Sequence, residues 1–480
     1  MLKILTLAFT AAITGLTCIE LNSNDKKHKP VKNADNKIPA DTSAVQKNYI
    51  GYCAGCHGEK MDAFVDRKWK YGNSREALFK GIKDGYPNGG MPAYDSAFNT
   101  REIYALADYI LNGIKNRERY DFNSVPKQNL FVSEEQNVKL DTVLSVIGIP
   151  WAIAFLPNNE MLVTEKSGEL HHIYSNKNKQ LVTGVPAVVN EGQGGLLDVI
   201  IHPQFEKNNI IYLSYSKAKD DNPALATTAI LKATFKNNEL TNTKIIFEAL
   251  PYSTTRHHYG CRMVFGNDGL LYFSVGERGN EKQNPQSTAN DLGKIHRITD
   301  DGGIPADNPF AQSGTAKKTI YSYGNRNPQG LAMDKATGKI WETEHGPRGG
   351  DEVNIIERGK NYGWPAISFG INYNGKIITD KTALPGMEQP MLYWIPSIAP
   401  SGTAFVEGDK YKGWKGDLLL GSLRFNYLNR CKIKDGKIVG EELLLKNIGR
   451  MRDVRMGPDG FIYVAVENPG YVFRLVPVAK

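Results

Sequence analysis

The chain has 480 residues, 41% of them hydrophobic and 10% aromatic, which is enough apolar material for a large core and more than one domain. Its net charge of +8 is modest for that length, and no Lys/Arg run is dense enough to argue for nucleic acid. The basic excess suits anionic cofactor groups or an acidic redox partner instead.

At the N-terminus, Lys3 precedes an apolar stretch from Ile4 to Leu16, too short to span a bilayer but of the right length for a signal-peptide core. Residues 1–18 are therefore expected to direct export, placing the protein in the periplasm or on a membrane facing it. Gly15-Leu16-Thr17-Cys18 is similar to a bacterial lipoprotein cleavage box, with leucine one place too late. A lipid anchor at Cys18 and plain cleavage are both open. The polar segment 19–40 serves as a tether in either case.

Cys53-Ala54-Gly55-Cys56-His57 follows. Two thiols and an adjacent imidazole are what covalent haem attachment needs: the sulfurs of Cys53 and Cys56 add to the porphyrin vinyl groups, and His57 becomes an axial ligand of the iron. A zinc site would want a second Cys/His pair, and the other cysteines, Cys18, Cys261 and Cys431, are isolated. A redox dithiol would want a βαβ setting, which the surroundings do not show. Met91, in the irregular turn Gly89-Gly90-Met91-Pro92, is the expected sixth ligand; Met61 is too close to His57 to reach the opposite haem face. The flanks predict helices over Thr42 to Tyr52 and, capped by Ser74, through Ile82. A third begins at the capping signal of Asn99 and Glu102, with Ile103, Leu106, Ala107, Ile110 and Leu111 on one face. Residues 41–116 resemble the class I cytochrome c family, which implies a small all-α domain carrying haem c.

A connector, 117–137, leads into β-rich sequence in which tight turns introduce short apolar runs. These are Asn158-Asn159 before Met161, Asn208-Asn209 before Ile210, Asp268-Gly269 before Leu270, Thr337-Gly338 before Lys339, Lys415-Gly416 before Asp417 and Asp459-Gly460 before Phe461. Six such turns, about 45 to 80 residues apart, leave room for a four-stranded blade each. An all-β six-bladed propeller over 138–480 is the expected architecture.

A propeller does not define chemistry, so the loops must. Gln193 stands between glycines; His257-His258-Tyr259-Gly260 precedes Arg262; Glu277 ends the next run. Arg326-Asn327 and His345-Gly346-Pro347 follow, the latter close to Asp351-Glu352, and Arg424, Arg450 and Arg452 supply late cations. These amount to a candidate base, guanidiniums able to clamp carboxylates, and a Gly-Pro loop beside acids that could hold a hard cation through oxygens.

With Gly-Gln-x-Gly-Leu-Leu, Arg-Asn-Pro-Gln-Gly-Leu, Gly-Pro-x-x-x-Asp-Glu-x-Asn and Arg-x-Arg-Asp in this order, residues 138–476 resemble the soluble glucose and aldose sugar dehydrogenase family. The resemblance implies a propeller binding pyrroloquinoline quinone (PQQ) and Ca2+. It makes His258 the general base toward the sugar anomeric hydroxyl and Glu277 the acid that orients it. Gln193, Arg326, Asn327, Arg424, Arg450 and Arg452 would contact the quinone, with Arg424 replacing a lysine, and the Gly346 and Pro347 carbonyls would hold the calcium. His345 stands where the family often has glutamine, Tyr393 and Trp394 are shifted from the expected sugar-stacking positions, and a loop partner among Gln283, Gln286 and Asn290 is unassigned. The expected protein is an exported sugar oxidoreductase whose haem is its first electron acceptor, passing electrons to an acceptor of the respiratory chain. The competing reading is a propeller that only binds or docks partners beside a simple electron carrier.

Overall fold

The computed structural model describes residues 42–53, 57, 71–86, 91–113, 129–145, 148–279, 281–373, 376–467 and 469–479. The expected signal peptide, Cys18, the tether, Cys56, Met61, the Gly89-Gly90 turn and most of the connector lie outside them.

Among the described residues the N-terminal unit has three helices: α1 (Thr42–Tyr52), α2 (Arg75–Asp84) and α3 (Thr100–Gly113). Ser74 Oγ accepts the Ala77 N–H at 3.1 Å and so starts α2. At α3 the capping box is complete: Asn99 N–H donates to Glu102 Oε2 (2.9 Å) and Glu102 N–H to Asn99 Oδ1 (3.1 Å). The period of α3 buries Ile103, Leu106, Ala107 and Ile110 against Leu78 and Ile82 of α2 and Val45 and Tyr49 of α1. Cys53 belongs to this core and Met91 packs against it, so the first cysteine of the expected haem motif and the expected sixth ligand share one hydrophobic cluster. Met91 is fixed by a two-bond bridge with Tyr86 (2.8 and 3.2 Å).

The remainder is a six-bladed β-propeller of six four-stranded antiparallel sheets. Five blades are continuous in sequence: blade 1 over 150–181, blade 2 over 196–248, blade 3 over 263–323, blade 4 over 328–394 and blade 5 over 400–444. Blade 6 takes three strands from 450–478 and its outermost strand, Asn137–Leu144, from the start of the domain. That strand pairs antiparallel with Tyr471–Val478, from Asn137 opposite Val478 to Leu144 opposite Val472, and closes the ring. Each of the six turns read from the sequence joins the first and second strands of one blade. Asn159, Asn209, Gly269, Gly338, Gly416 and Gly460 all have φ between 54° and 86°. This left-handed region is open to glycine and tolerated by asparagine, which is why those residues recur there.

The first strands of the blades surround the axis, where two aspartates and two arginines alternate. Arg262 Nη1 meets Asp198 Oδ1 (3.1 Å) and Asp453 Oδ1 (3.0 Å), while Arg455 meets Asp198 Oδ1 (2.7 Å) and Asp453 Oδ2 (2.9 Å). Asp453 also accepts the Ile153 N–H and Asp198 the Met263 N–H. Blades 1, 2, 3 and 6 are thus cross-linked beneath the loops.

Candidate active site

In an antiparallel blade the first strand begins and the second ends at the same edge, so the inter-blade loops and the turns after second strands share one face of the propeller. Gln193, His258, Arg326 and Asn327 lie in inter-blade loops and Arg450 and Arg452 at the start of a first strand; Glu277, Gly346, Pro347 and Arg424 follow second strands. All therefore belong to the same face.

His258 is buried and adopts φ +52°, a strained value for a side-chain-bearing residue. Gln193 Oε1 accepts its N–H at 2.8 Å, and Gly276 lies flat against its carbonyl, where a Cβ would come within 2.2 Å. Its Nδ1 is 3.1 Å from Oε1 of the fully buried Glu277, whose Oε2 accepts the Gly279 N–H. Burial, aided by Arg326, His257 and Arg278, holds the imidazole well below its usual pKa; burial also pushes the Glu277 carboxyl up to about 7. A neutral imidazole that donates Nδ1–H to a Glu277 carboxylate keeps an Nε2 lone pair ready for a proton.

Beside this pair, Arg326 Nη1 donates to the carbonyls of His345 (2.8 Å) and Gly346 (2.6 Å), and its guanidinium lies 5.2 Å from the Trp364 ring centre. Glu344 accepts the main-chain N–H groups of both Arg326 and Asn327 and so shapes the loop that carries them. Asn327 Oδ1 accepts from Gly260 N–H and Gln329 Nε2, each at 3.3 Å. Among the buried donors without a hydrogen-bond partner are Asn327 Nδ2 and Arg326 Nε, the latter 3.9 Å from Glu277 Oε1. Such donors call for an acceptor from outside the chain.

Arg452 reaches this group through Gln329 Oε1 (3.4 Å), and Glu467 binds Arg452 Nε at 2.7 Å and Arg450 Nε at 2.9 Å. Against the upward push of burial, the two arginines keep the Glu467 carboxyl below its usual value. Arg424 Nη1 donates to the Ser397 carbonyl (3.2 Å), and Ser397 Oγ to the Pro347 carbonyl (3.0 Å). Gln193, His258, Glu277, Arg326, Asn327, Gly346, Pro347, Arg424, Arg450 and Arg452 are thereby placed in one linked set, with Arg424 and Arg450 on its exposed rim.

Other expectations change. Arg262 is not a pocket cation but part of the axial network. His345 Nε2 lies 2.7 Å from the Pro400 carbonyl, and burial holds its pKa at about 3, so it is a neutral structural donor. Trp394 turns between blades 4 and 5 to donate to Glu441 Oε2 (2.7 Å), and Tyr393 stacks on Phe369 at 3.9 Å. Gln286 braces Asn361 and the Trp364 carbonyl. The sequence reading gave no role to Glu344 and Trp364 and missed Glu467, because each is an ordinary strand or loop residue until the fold sets it beside an arginine.

Comparison with known proteins agrees with this geometry. Residues 147–474 match the family model described as Glucose / Sorbosone dehydrogenase, and residues 40–110 that of Cytochrome C oxidase, cbb3-type, subunit III. The chain is 40% identical over 350 residues to Aldose sugar dehydrogenase YliI of Escherichia coli K12, covering 71% of this chain and 93% of that protein. It is 27% identical over 422 residues to Quinoprotein glucose dehydrogenase B of Acinetobacter calcoaceticus, covering 71% and 87%. Among solved structures, the apo form of the soluble Escherichia coli aldose sugar dehydrogenase superposes with a TM-score of 0.68 at 39% identity, over 71% of this chain and all of that one. The PQQ-bound aldose sugar dehydrogenase of Streptomyces coelicolor superposes with a TM-score of 0.59 at 26% identity, over 71% and 98%. With a cytochrome c domain at its N-terminal end, this chain belongs to the glucose/sorbosone dehydrogenase family.

Proposed function

We propose that the chain is an exported quinohaemoprotein dehydrogenase that oxidises aldose sugars at the anomeric carbon to lactones, with PQQ and calcium in the propeller and the fused haem as first electron acceptor. The observation that carries this reading is the His258 imidazole 3.1 Å from a buried carboxyl group on the same face as four arginines.

The donor set fits a tricarboxylate quinone. Arg326, Arg424, Arg450 and Arg452 can pair its carboxylates, and Arg326 Nε and Asn327 Nδ2 are buried donors in want of an acceptor. The Gly346 and Pro347 carbonyls each keep a lone pair beyond the bonds from Arg326 and Ser397, and would hold calcium as hard oxygen ligands. When bound, the quinone supplies the carbonyl carbon that accepts hydride and calcium the Lewis acidity that polarises it. The chain's own part is proton transfer and orientation. His258 Nε2 takes the proton of the anomeric hydroxyl, and Glu277 stabilises the imidazolium through Nδ1–H. Gln193 and Gly276 fix the main chain on which that ring stands. Cys53 and Cys56 would carry the haem, with His57 and Met91 as axial ligands.

Haem reduction is the test. Purified haem-loaded protein supplied with PQQ and Ca2+ should show reduced-cytochrome absorbance when an aldose is added, with two haem equivalents reduced per sugar oxidised. Absence of quinone-dependent reduction with every aldose in a broad panel overturns the reading and leaves a binding or docking propeller.

A further inference from the structure

Outside the pocket, blade 1 carries a second cluster of ligating groups. Its strands Met161–Glu165 and Leu170–Ile173 are joined by a tight turn, closed by Gly168 N–H on the Glu165 carbonyl (3.0 Å) and Glu165 N–H on the Glu169 carbonyl (2.8 Å). The turn brings Glu165, Glu169 and His171 together, with one ligand atom from each within 4.8 Å of the others. We propose that these three residues bind a divalent transition-metal ion of the zinc type.

Charge is the first argument. Two carboxylates face one imidazole, and among the described residues neither meets a lysine or arginine within 4.0 Å. Lys166, inside the same turn, is directed elsewhere: its Nζ donates to Asn190 Oδ1 at 2.7 Å. An uncompensated carboxylate pair on a short turn is stabilised by a cation placed between its members.

Geometry is the second. His171 Nε2 is 3.3 Å from both Glu165 Oε2 and Glu169 Oε2. Glu165 Oε2 shares a hydrogen bond with His171 Nε2, but a single N–H cannot point at two oxygens at once, and both separations exceed the roughly 2.7–2.9 Å of a charge-assisted hydrogen bond. They match the edge of a tetrahedron around zinc, whose bonds to nitrogen and carboxylate oxygen are about 2.0–2.2 Å. The His171 side chain is nine-tenths buried and aimed into the cluster, whereas that of Glu169 is half exposed, which leaves an open position for water. Ser167 Oγ donates to the other Glu165 oxygen at 2.9 Å, and Gly148 lies so close that a Cβ would come within 2.2 Å of it. A ligating carboxylate is commonly steadied in this way by its outer contacts. One nitrogen and two carboxylate oxygens suit zinc and its first-row neighbours; calcium takes six to eight oxygens.

The test uses the full haem-loaded chain, stripped with a chelating resin and held in excess Ca2+, and titrates Zn2+ alone by equilibrium dialysis with metal analysis. Wild type should bind one more zinc per chain than Glu169→Gln, whose exposed side chain can change without unfolding the blade, and His171→Gln should match that loss. Residual affinity at the site should be at least tenfold weaker in either variant. Equal stoichiometry and affinity in wild type and Glu169→Gln overturn the proposal, as does a wild type that takes up no zinc. Neither result depends on PQQ or sugar, so the site stands or falls apart from the proposed dehydrogenase activity.

Discussion

Protonation of Glu277 sets the direction of the pH response. Its carboxylate must accept Nδ1–H if His258 is to offer Nε2; once protonated, it donates to Nδ1, and the ring proton moves to the nitrogen that should act as base. With the carboxyl raised to about 7 by burial, kcat should fall as pH drops through that value, while His258 itself stays neutral over the same range. Glu277→Gln should lower kcat by about 10²-fold or more and remove this acid limb, a loss in the range of general-base catalysis; steady-state kinetics from pH 5 to 9 would read both. At Glu467, replacement by Gln frees Arg450 and Arg452 from their shared anchor, so KM for PQQ reconstitution should rise while the pH profile stays put. The base and the arginines were legible in the sequence because loop motifs announce them. The roles of Glu344, Trp364 and Glu467 were not, since a buried acid or ring acquires its partner only by folding.

Elements were more legible than contacts. The three helices follow from period and caps, and the six turns from Asn and Gly at positions that need φ above zero. Replacing Asn159 (φ +63°) by alanine should destabilise the propeller by about 1 kcal/mol, read as a lower urea midpoint, because the left-handed backbone costs a Cβ-bearing residue about 1–2 kcal/mol and asparagine recovers part of it. Gly276→Ala should act differently. Its Cβ would strike the His258 carbonyl, so activity should be lost well before stability, with thermal unfolding shifted by only a few degrees. The outer strands explain why the aromatic positions escaped sequence reasoning: Trp394 and Tyr393 lie at the edge of blade 4, where packing against Glu441 and Phe369 decides their orientation.

At the scale of the molecule, the ring is held by the axial aspartates and arginines as well as by its closing strand. Asp453→Asn leaves the buried Arg262 and the partly buried Arg455 guanidinium short of a counter-charge, and removing one partner of a buried ion network costs about 3–5 kcal/mol. Equilibrium denaturation should show that loss as one cooperative transition, since the network spans four blades. Arg262 and Asp453 belong to sequence motifs that suggested ligand contact, and only the ring geometry shows that they bind each other. The closing strand has a different consequence. Asn137 pairs with Val478 at the end of the propeller opposite His258, and the polypeptide arriving from the cytochrome runs antiparallel beside this strand, Asn129 bonded to Leu140 and Phe131 opposite Val138, before turning at that end. The 15 residues from 114 to 128 can span at most about 50 Å. Under the proposed function the length of this segment bounds how far the haem can lie from the propeller, and so sets the effective concentration of haem at the catalytic face. Shortening it by half should slow haem reduction while a soluble dye is reduced by the propeller at an unchanged rate.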